Sequence, residues 1–216
     1  DGTLEQSWPA SSNAVTALAF TPDGSILASG GGRLDNAVSL WRSADGVLIR
    51  KLTGHSGSVL SVSLSPDGTR VLVSAQGNLY VRDQSGDREV RLTKNAAGGP
   101  VSNGRAVWSA DGKWIAFVQS DESEVGLRSV LVPGDPSYPE VKEVRFARVG
   151  GAIPTLRVGV VDAQGEETRW LPIPMPAEGF YLGQIDWAGN SHELLIEKLS
   201  RFRNERELLL ADTRTG

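Results

Sequence analysis

One turn recurs along this chain at a fixed interval. Residues 65–68 read Ser-Pro-Asp-Gly and lie between two apolar runs, 59–64 and 71–74. Proline presets the backbone at the first corner, aspartate bonds the backbone that follows it, and glycine takes the position where a side chain would be strained. A turn of this kind between two strand-like runs predicts an antiparallel hairpin.

The spacing of this turn predicts the fold. The aspartates of three related turns, Asp23, Asp67 and Asp111, are each 44 residues apart (67 − 23 and 111 − 67). A repeat of that length with short strands inside it is typical of propeller blades, each a four-stranded antiparallel sheet. We therefore predict an all-β fold, with one β-propeller domain over residues 1–216.

The strand pattern divides the domain into four blades. Their predicted limits are approximately 14–54, 55–97, 98–176 and 177–216. The fourth blade contains only three strand-like runs, and an isolated run at residues 3–8 can supply the missing strand. We therefore predict four four-stranded antiparallel blades, the last closed by the N-terminal strand, with Trp8 in that blade.

The inner strand of the first blade, 15–20, is apolar on both faces, which is typical of a strand packed between two layers. Four side chains occupy equivalent positions at the ends of the inner strands of the four blades. They are Phe20, Leu64, Trp108 and Trp187. We predict that all four are buried between blades.

Composition excludes several classes of partner. The chain has 22 basic and 26 acidic residues and a net charge of −4, so it lacks the basic excess of a nucleic-acid-binding surface. No apolar run approaches the roughly 20 residues that cross a bilayer, so no membrane partner is predicted. Since the chain has 0 Cys, disulfides are excluded.

No catalytic, cofactor or metal site is predicted. A serine–histidine–aspartate triad could use only His55 or His192, and no Gly-x-Ser-x-Gly turn is present. Two separated histidines without cysteine do not make a zinc site. The acidic run at residues 121–124 lacks the ordered oxygen ligands that calcium requires.

Three residues are candidates for contact with a protein or peptide partner. Arg201 and Arg203 flank a predicted hairpin and could bind an acidic peptide terminus through charge-assisted hydrogen bonds. The favoured interpretation, however, is that these arginines and Arg206 pair with Glu205 and Glu207. The third candidate, Tyr138, lies in a long proline-interrupted loop of a kind that is often functional or mobile.

Motifs in the first part of the chain point to a family. They are the Pro-Asp-Gly turns, Leu40-Trp41 and Gly54-His55. With them, about residues 1–97 resemble the blades of WD-repeat propellers, which implies a buried His–Ser/Thr–Asp–Trp network in each blade. His55 and Ser74 match that network in the second blade, whereas Gln76 and Arg82 replace its aspartate and tryptophan.

A different set of motifs follows in the second part of the chain. It comprises Trp108-Ser109-Ala110-Asp111-Gly112, Tyr138-Pro139, Ala152-Ile153-Pro154 and Leu199-Ser200-Arg201-Phe202-Arg203-Asn204. With these, about residues 105–216 resemble the eight-bladed propeller of dipeptidyl peptidase IV-type serine peptidases. The resemblance implies that the propeller only gates the substrate and that the catalytic serine lies in a separate hydrolase domain.

Two half-propellers of different parentage, joined near residues 98–100, predict a recombinant or designed chimera. Its leading function is that of a non-enzymatic scaffold without cofactors. One alternative is a propeller module that binds a peptide or protein. The other is an inert propeller fragment of a dipeptidyl peptidase IV-type peptidase.

Four blades leave the oligomeric state open. The two families build rings of seven or eight blades, so two chains could share one eight-bladed ring. The other outcome is a tight four-bladed monomer. We favour the monomer slightly, because self-closure avoids the entropic cost of association.

Overall fold

The computed structural model describes residues 7–11, 13–95, 98–132 and 140–215. The three aspartate turns share one set of hydrogen bonds. A hydroxyl donates to the carboxylate two residues later, at 2.6 Å for Thr21–Asp23, 2.5 Å for Ser65–Asp67 and 2.6 Å for Ser109–Asp111. The same hydroxyl oxygen accepts the N–H five residues along, at 3.0, 3.0 and 2.9 Å. Each turn thereby directs the chain back into the next antiparallel strand.

These hydrogen bonds favour the charged form of the carboxylates. The Thr21 hydroxyl, followed by the N–H and hydroxyl of Ser25, lowers the pKa of Asp23 to about 2. In the fourth blade Asn190 takes the same role without a charge. Its Oδ1 accepts the N–H groups of His192 and Glu193 at 3.0 and 2.7 Å.

The first two blades are four-stranded antiparallel sheets, as predicted. The first blade contains β1 (Val15–Phe20), β2 (Ile26–Gly31), β3 (Val38–Arg42) and β4 (Leu48–Leu52). The second contains β5 (Val59–Leu64), β6 (Arg70–Ala75), β7 (Asn78–Asp83) and β8 (Glu89–Arg91).

The other blades depart from the predicted regularity. The third contains β9 (Val101–Trp108), β10 (Trp114–Asp121), β13 (Thr155–Asp162) and β14 (Arg169–Trp170). Between its second and third strands lies a separate two-stranded sheet, made of β11 (Leu127–Val132) and β12 (Glu140–Arg145). The fourth blade contains β15 (Phe180–Trp187), β16 (Glu193–Ser200) and β17 (Arg206–Asp212). The described residues thus form five sheets, and the fourth blade has three strands instead of four.

Successive blades pack face to face across apolar clusters. Buried members are Leu40 and Val59 between the first and second blades, Leu79 and Phe117 between the second and third, and Val160 and Ile196 between the third and fourth. No apolar cluster of the described residues joins the fourth blade to the first. The blades of the described residues therefore form an open array, and closure of the ring within one chain or between two stays a prediction. The described ranges also contain no helix long and apolar enough to cross a membrane.

The open array accounts for one wrong prediction of burial. Leu64 and Trp187 are buried at 8 % and 9 % exposure, and Trp108 is half-buried. Phe20 is 59 % exposed. Each of the other three side chains packs against the preceding blade, whereas no blade of the described residues packs on that side of the first blade.

The N-terminal strand predicted to close the last blade lies mostly outside the described residues. Ser7 and Trp8 are described and belong to no strand. Trp8 contacts the first blade, with its ring centroid 6.5 Å from that of Trp41. Trp8 also lies against Gly46, in the turn between β3 and β4. The structure therefore places Trp8 on the first blade.

The Trp8 contact can be tested at Gly46. This residue has φ +68°, and an added Cβ would lie 2.6 Å from the Trp8 ring. Gly24 has φ +71° but no atom within 4 Å of an added Cβ. We expect Gly24→Ala to lower the free energy of unfolding by about 1–2 kcal/mol through backbone strain alone. Gly46→Ala should lose about 1–3 kcal/mol more, because the site is already filled. Urea unfolding measures both, and equal losses would contradict the contact.

The depressed pKa of Asp23 gives the fold an acid-labile element. Its carboxylate contributes stability at pH values above the ordinary value of 3.8, and this contribution is lost as the pH falls toward about 2. We expect Asp23→Asn to reduce stability at neutral pH, and the difference from the wild type to shrink between about pH 4 and 2. Thermal unfolding across that pH range provides the measurement. A difference independent of pH would show that the charge plays no part.

Candidate functional site

The connections between strands lie at two opposite ends of each blade. We call the first strand of each blade its inner strand and the fourth its outer strand. Since the strands are antiparallel, the aspartate turns, which join the first strand to the second, lie at the same end as the turns that join the third strand to the outer strand. The connections between second and third strands share the other end with the starts of the inner strands. We call this second end the insertion face, because the β11–β12 hairpin leaves the third blade there.

The hairpin is fixed to the blade at its base. Its strands pair in regular antiparallel register from Leu127 opposite Arg145 to Val132 opposite Glu140. The Arg145 guanidinium donates to the carbonyls of Glu122, Ser123 and Val125, each at 2.9 Å. The predicted long loop therefore contains the paired strands β11 and β12, which leave the third blade at the insertion face.

A cleft of about 300 Å³ lies beside the hairpin, between the third and fourth blades. Its walls are mainly apolar and come from the connections that precede β13 and β15. Apolar lining residues are Ala152, Ile153, Pro154, Met175, Pro176 and Phe180. The charged residues Glu124, Glu178 and Arg201 also line it. The cleft therefore combines apolar walls with charges of both signs.

Arg201 binds backbone carbonyls at this cleft. One guanidinium nitrogen donates to the Glu178 carbonyl at 2.9 Å and the other to the Gly151 carbonyl at 2.5 Å. No ion pair among the described residues involves Arg201. Since a guanidinium has five N–H donors, donors remain for a further acceptor.

The predicted pairing of the arginines with Glu205 and Glu207 is wrong. Instead, Arg206 pairs with Glu197 at 2.8 Å, and Glu207 pairs with Lys198 at 3.2 Å. Both are pairs between the neighbouring strands β16 and β17. Glu197 and Glu207 are therefore paired across the two strands, and neither pairs with Arg201.

Arg203, the second candidate contact, does not line the cleft with Arg201. The exposed Arg203 has φ +56°, and its guanidinium stacks on the Tyr181 ring with 4.4 Å to the ring centroid. Tyr138 lies outside the described residues. Of the two candidate contact residues that the structure describes, Arg201 lines the cleft and Arg203 does not.

The two histidines lie in different surroundings from those of a serine–histidine pair. Burial lowers the pKa of His55, whose ring meets Tyr80 edge-on at 5.3 Å. Ser74, the predicted partner of His55 in a WD-type network, donates to the Asn103 carbonyl at 3.3 Å. Among the described residues, no hydrogen bond joins a serine hydroxyl to the ring of His55 or His192. The described part of the chain also brings together no group of three or more His, Cys, Asp or Glu that could hold a metal ion.

Sequence reasoning missed most of the cleft. Its second wall comes from the stretch that joins β14 to β15, and the carbonyls that hold Arg201 belong to Gly151 and Glu178. The positions of backbone carbonyls cannot be predicted from residue types, because every residue has one. One sequence feature does indicate this wall. Proline alternates with apolar residues at 172–176, and this pattern favours an extended segment.

Two family models match the chain. The N-terminal region of dipeptidyl peptidase IV matches residues 39–216. The WD domain, G-beta repeat, matches residues 2–42.

Curated relatives that match most of the chain are peptidases by name. A probable dipeptidyl-aminopeptidase B of Phaeosphaeria nodorum is 27 % identical over 191 residues, which cover 75 % of this chain and 21 % of the relative. Prolyl endopeptidase FAP of Mus musculus is 24 % identical over 170 residues, which cover 69 % of this chain and 22 % of the relative. The chain thus spans about a fifth of the length of these relatives.

Solved structures share the fold. Dipeptidyl peptidase 4 of Porphyromonas gingivalis superposes with a TM-score of 0.77 at 22 % identity, over 93 % of this chain and 31 % of that one. The β-propeller domain of Myceliophteria thermophila Cps50 (Swd1) gives a TM-score of 0.56 at 22 % identity, over 95 % of this chain and 54 % of that domain. Both likenesses establish a propeller-type arrangement of blades.

The comparisons do not support a chimera of two parents. The dipeptidyl peptidase IV model begins at residue 39 and continues through the predicted junction near residues 98–100. The WD match ends at residue 42, within the first blade. Because one family model covers 39–216, the chain belongs to the family of the dipeptidyl peptidase IV N-terminal region.

Proposed function

We propose that this chain is a non-catalytic propeller segment of a dipeptidyl peptidase IV-type peptidase. The observation that carries the proposal is the match of residues 39–216 to the N-terminal region of that family. The curated relatives bear peptidase names, and the chain corresponds to 21 % of the first of them. In this role the blades form part of the wall past which peptide substrates reach a catalytic centre that lies elsewhere.

The histidine environments support this role. A catalytic base needs a nucleophile within hydrogen-bond reach. His55 instead packs on Tyr80 with its Nε2 buried, and the pKa of its ring is lowered by burial. The 216 residues therefore act by shape and binding, and we expect them to carry out no hydrolysis on their own.

We expect the isolated 216-residue chain to release no p-nitroaniline from Gly-Pro-p-nitroanilide. An active dipeptidyl peptidase IV serves as the positive control, and a buffer blank sets the baseline. Turnover above the blank that is lost in both His55→Ala and His192→Ala would contradict the proposal. Turnover that survives both substitutions would be assigned to a contaminating peptidase, and a repeat after further purification then decides the matter.

A second candidate function is the binding of acidic peptides at the cleft beside Arg201. The supporting observation is a half-buried guanidinium that is held by two carbonyls next to apolar walls. A carboxylate can accept the donors that remain, and charge-assisted hydrogen bonds are stronger than neutral ones. Apolar side chains next to that carboxylate would then cover Ile153 and Phe180.

The cleft proposal is tested by fluorescence anisotropy with a labelled peptide that has an apolar residue before its C-terminal carboxylate. We expect Arg201→Met to weaken binding at least tenfold, as loss of a hydrogen bond between charged groups predicts. Arg203→Ala is the matched control and should bind as the wild type does, because Arg203 stacks on Tyr181 away from the cleft. Equal affinities of all three proteins, or no binding by the wild type, would exclude this function.

A further inference from the structure

The segment that joins the first blade to the second rests on the third strand of the second blade. This connection comprises residues 53–58, between β4 and β5. The Arg82 guanidinium of β7 donates to the Thr53 carbonyl at 2.6 Å. The His55 ring meets the Tyr80 ring of the same strand edge-on, with 5.3 Å between the ring centroids. Since Tyr80 packs against the apolar cluster shared by the first two blades, His55 lies at their joint.

The hydrogen-bonding state of the His55 ring favours its neutral form. Its Nε2 is buried and has no hydrogen-bond partner among the described residues. In a neutral imidazole one nitrogen carries no hydrogen, whereas both nitrogens of an imidazolium are donors. Protonation would therefore bury an N–H group that has no protein acceptor, and such a group loses its hydration without compensation.

The charges around the His55 ring also oppose a proton. They belong to Arg82 and Glu89, on the neighbouring strands β7 and β8. Glu89 would favour a charged imidazole, but its carboxylate already pairs with Arg82 at 3.2 Å. A further guanidinium, that of Arg91, lies 6.0 Å from the Tyr80 ring centroid. An imidazolium would therefore add a third cation to two guanidinium groups and the Glu89 carboxylate.

The pKa of His55 agrees with this geometry. Burial lowers this pKa from the ordinary value of 6.5, Glu89 opposes the shift, and Arg82 adds to it. A ring detached from Tyr80 takes up its proton near pH 6.5, whereas the packed ring takes it up only at lower pH. The contact is therefore at full strength above pH 6.5 and weakens as the pH falls below that value.

We propose that His55 is a pH-sensitive latch between the first two blades. The neutral ring holds residues 53–58 on β7, and protonation releases them, so that mild acid loosens the joint at Val59. The contribution of Asp23 is lost only below its ordinary pKa of 3.8, so the two responses to acid occupy separate pH ranges. The proposal concerns the stability of one joint and does not depend on the proposed function.

Cysteine labelling measures the opening of this joint, because the chain has 0 Cys and one introduced thiol reports one site. Val59 is 0 % exposed between the first and second blades, and Val160 is 1 % exposed between the third and fourth. We divide the rate at which dithiodipyridine labels Val59→Cys by its rate for Val160→Cys, which cancels the effect of pH on the reagent. From about pH 7 to about pH 5.5 this ratio should rise at least threefold, up to a limit of about eightfold for one proton with an ordinary pKa of 6.5.

Two histidine variants assign the response. In His55→Phe an aromatic ring still packs on Tyr80 but takes up no proton, so the ratio should not change with pH. His192→Gln is the matched control, since it removes the other of the 2 His, and it should keep the wild-type response. A ratio that does not rise in the chain with both histidines, a rise that persists in His55→Phe, or a rise lost in His192→Gln would overturn the proposal.

Nuclear magnetic resonance provides a check that needs no change at His55. In His192→Gln one imidazole remains, so the shifts of its ring protons report His55 alone. We expect these shifts to titrate with a midpoint below pH 6.5. A midpoint at or above that value would overturn the latch even if His55→Phe fails to fold.

Discussion

The packing of one blade on the next is the contact on which the rest of this structure depends. In β6, Leu72 faces the third blade, while Val71 and Val73 face the first. In β10, Phe117 faces the second blade and Val118 faces the fourth. Because neighbouring side chains in a strand point to opposite faces, a single strand serves two interfaces, and each blade is covered only while both of its neighbours are present.

The repeat predicted most of the fold but not its ends. The aspartate turns fix where β1, β5 and β9 stop, and the alternation of apolar residues fixes which faces pack. Phe20 occupies the same place in its blade as Leu64 and Trp187, and residue type carries no sign that its neighbour is missing. A repeat describes the position of a residue within a blade, whereas burial depends on the blade beside it.

The cleft was harder to predict because backbone groups build much of it. The sequence places Arg201 close to Glu205, which favours pairing between near neighbours. The register of β16 and β17 sets Lys198 opposite Glu207, so these charges meet across the strands. Arg201 instead donates hydrogen bonds to the carbonyls of Glu178 and Gly151, in the connections that precede β15 and β13. Only the three-dimensional course of those connections reveals this outcome.

The open array also sets how stability is distributed along the chain. In the described part of the chain, each apolar cluster joins two blades that are consecutive in sequence, so unfolding of one blade weakens its neighbours as in a linear repeat protein. The second and third blades have two packed faces, and the first and fourth have one. When the 216 residues are studied on their own, we therefore expect local unfolding to begin in the first and fourth blades, and the backbone amides around Leu72 and Phe117 to exchange last with solvent.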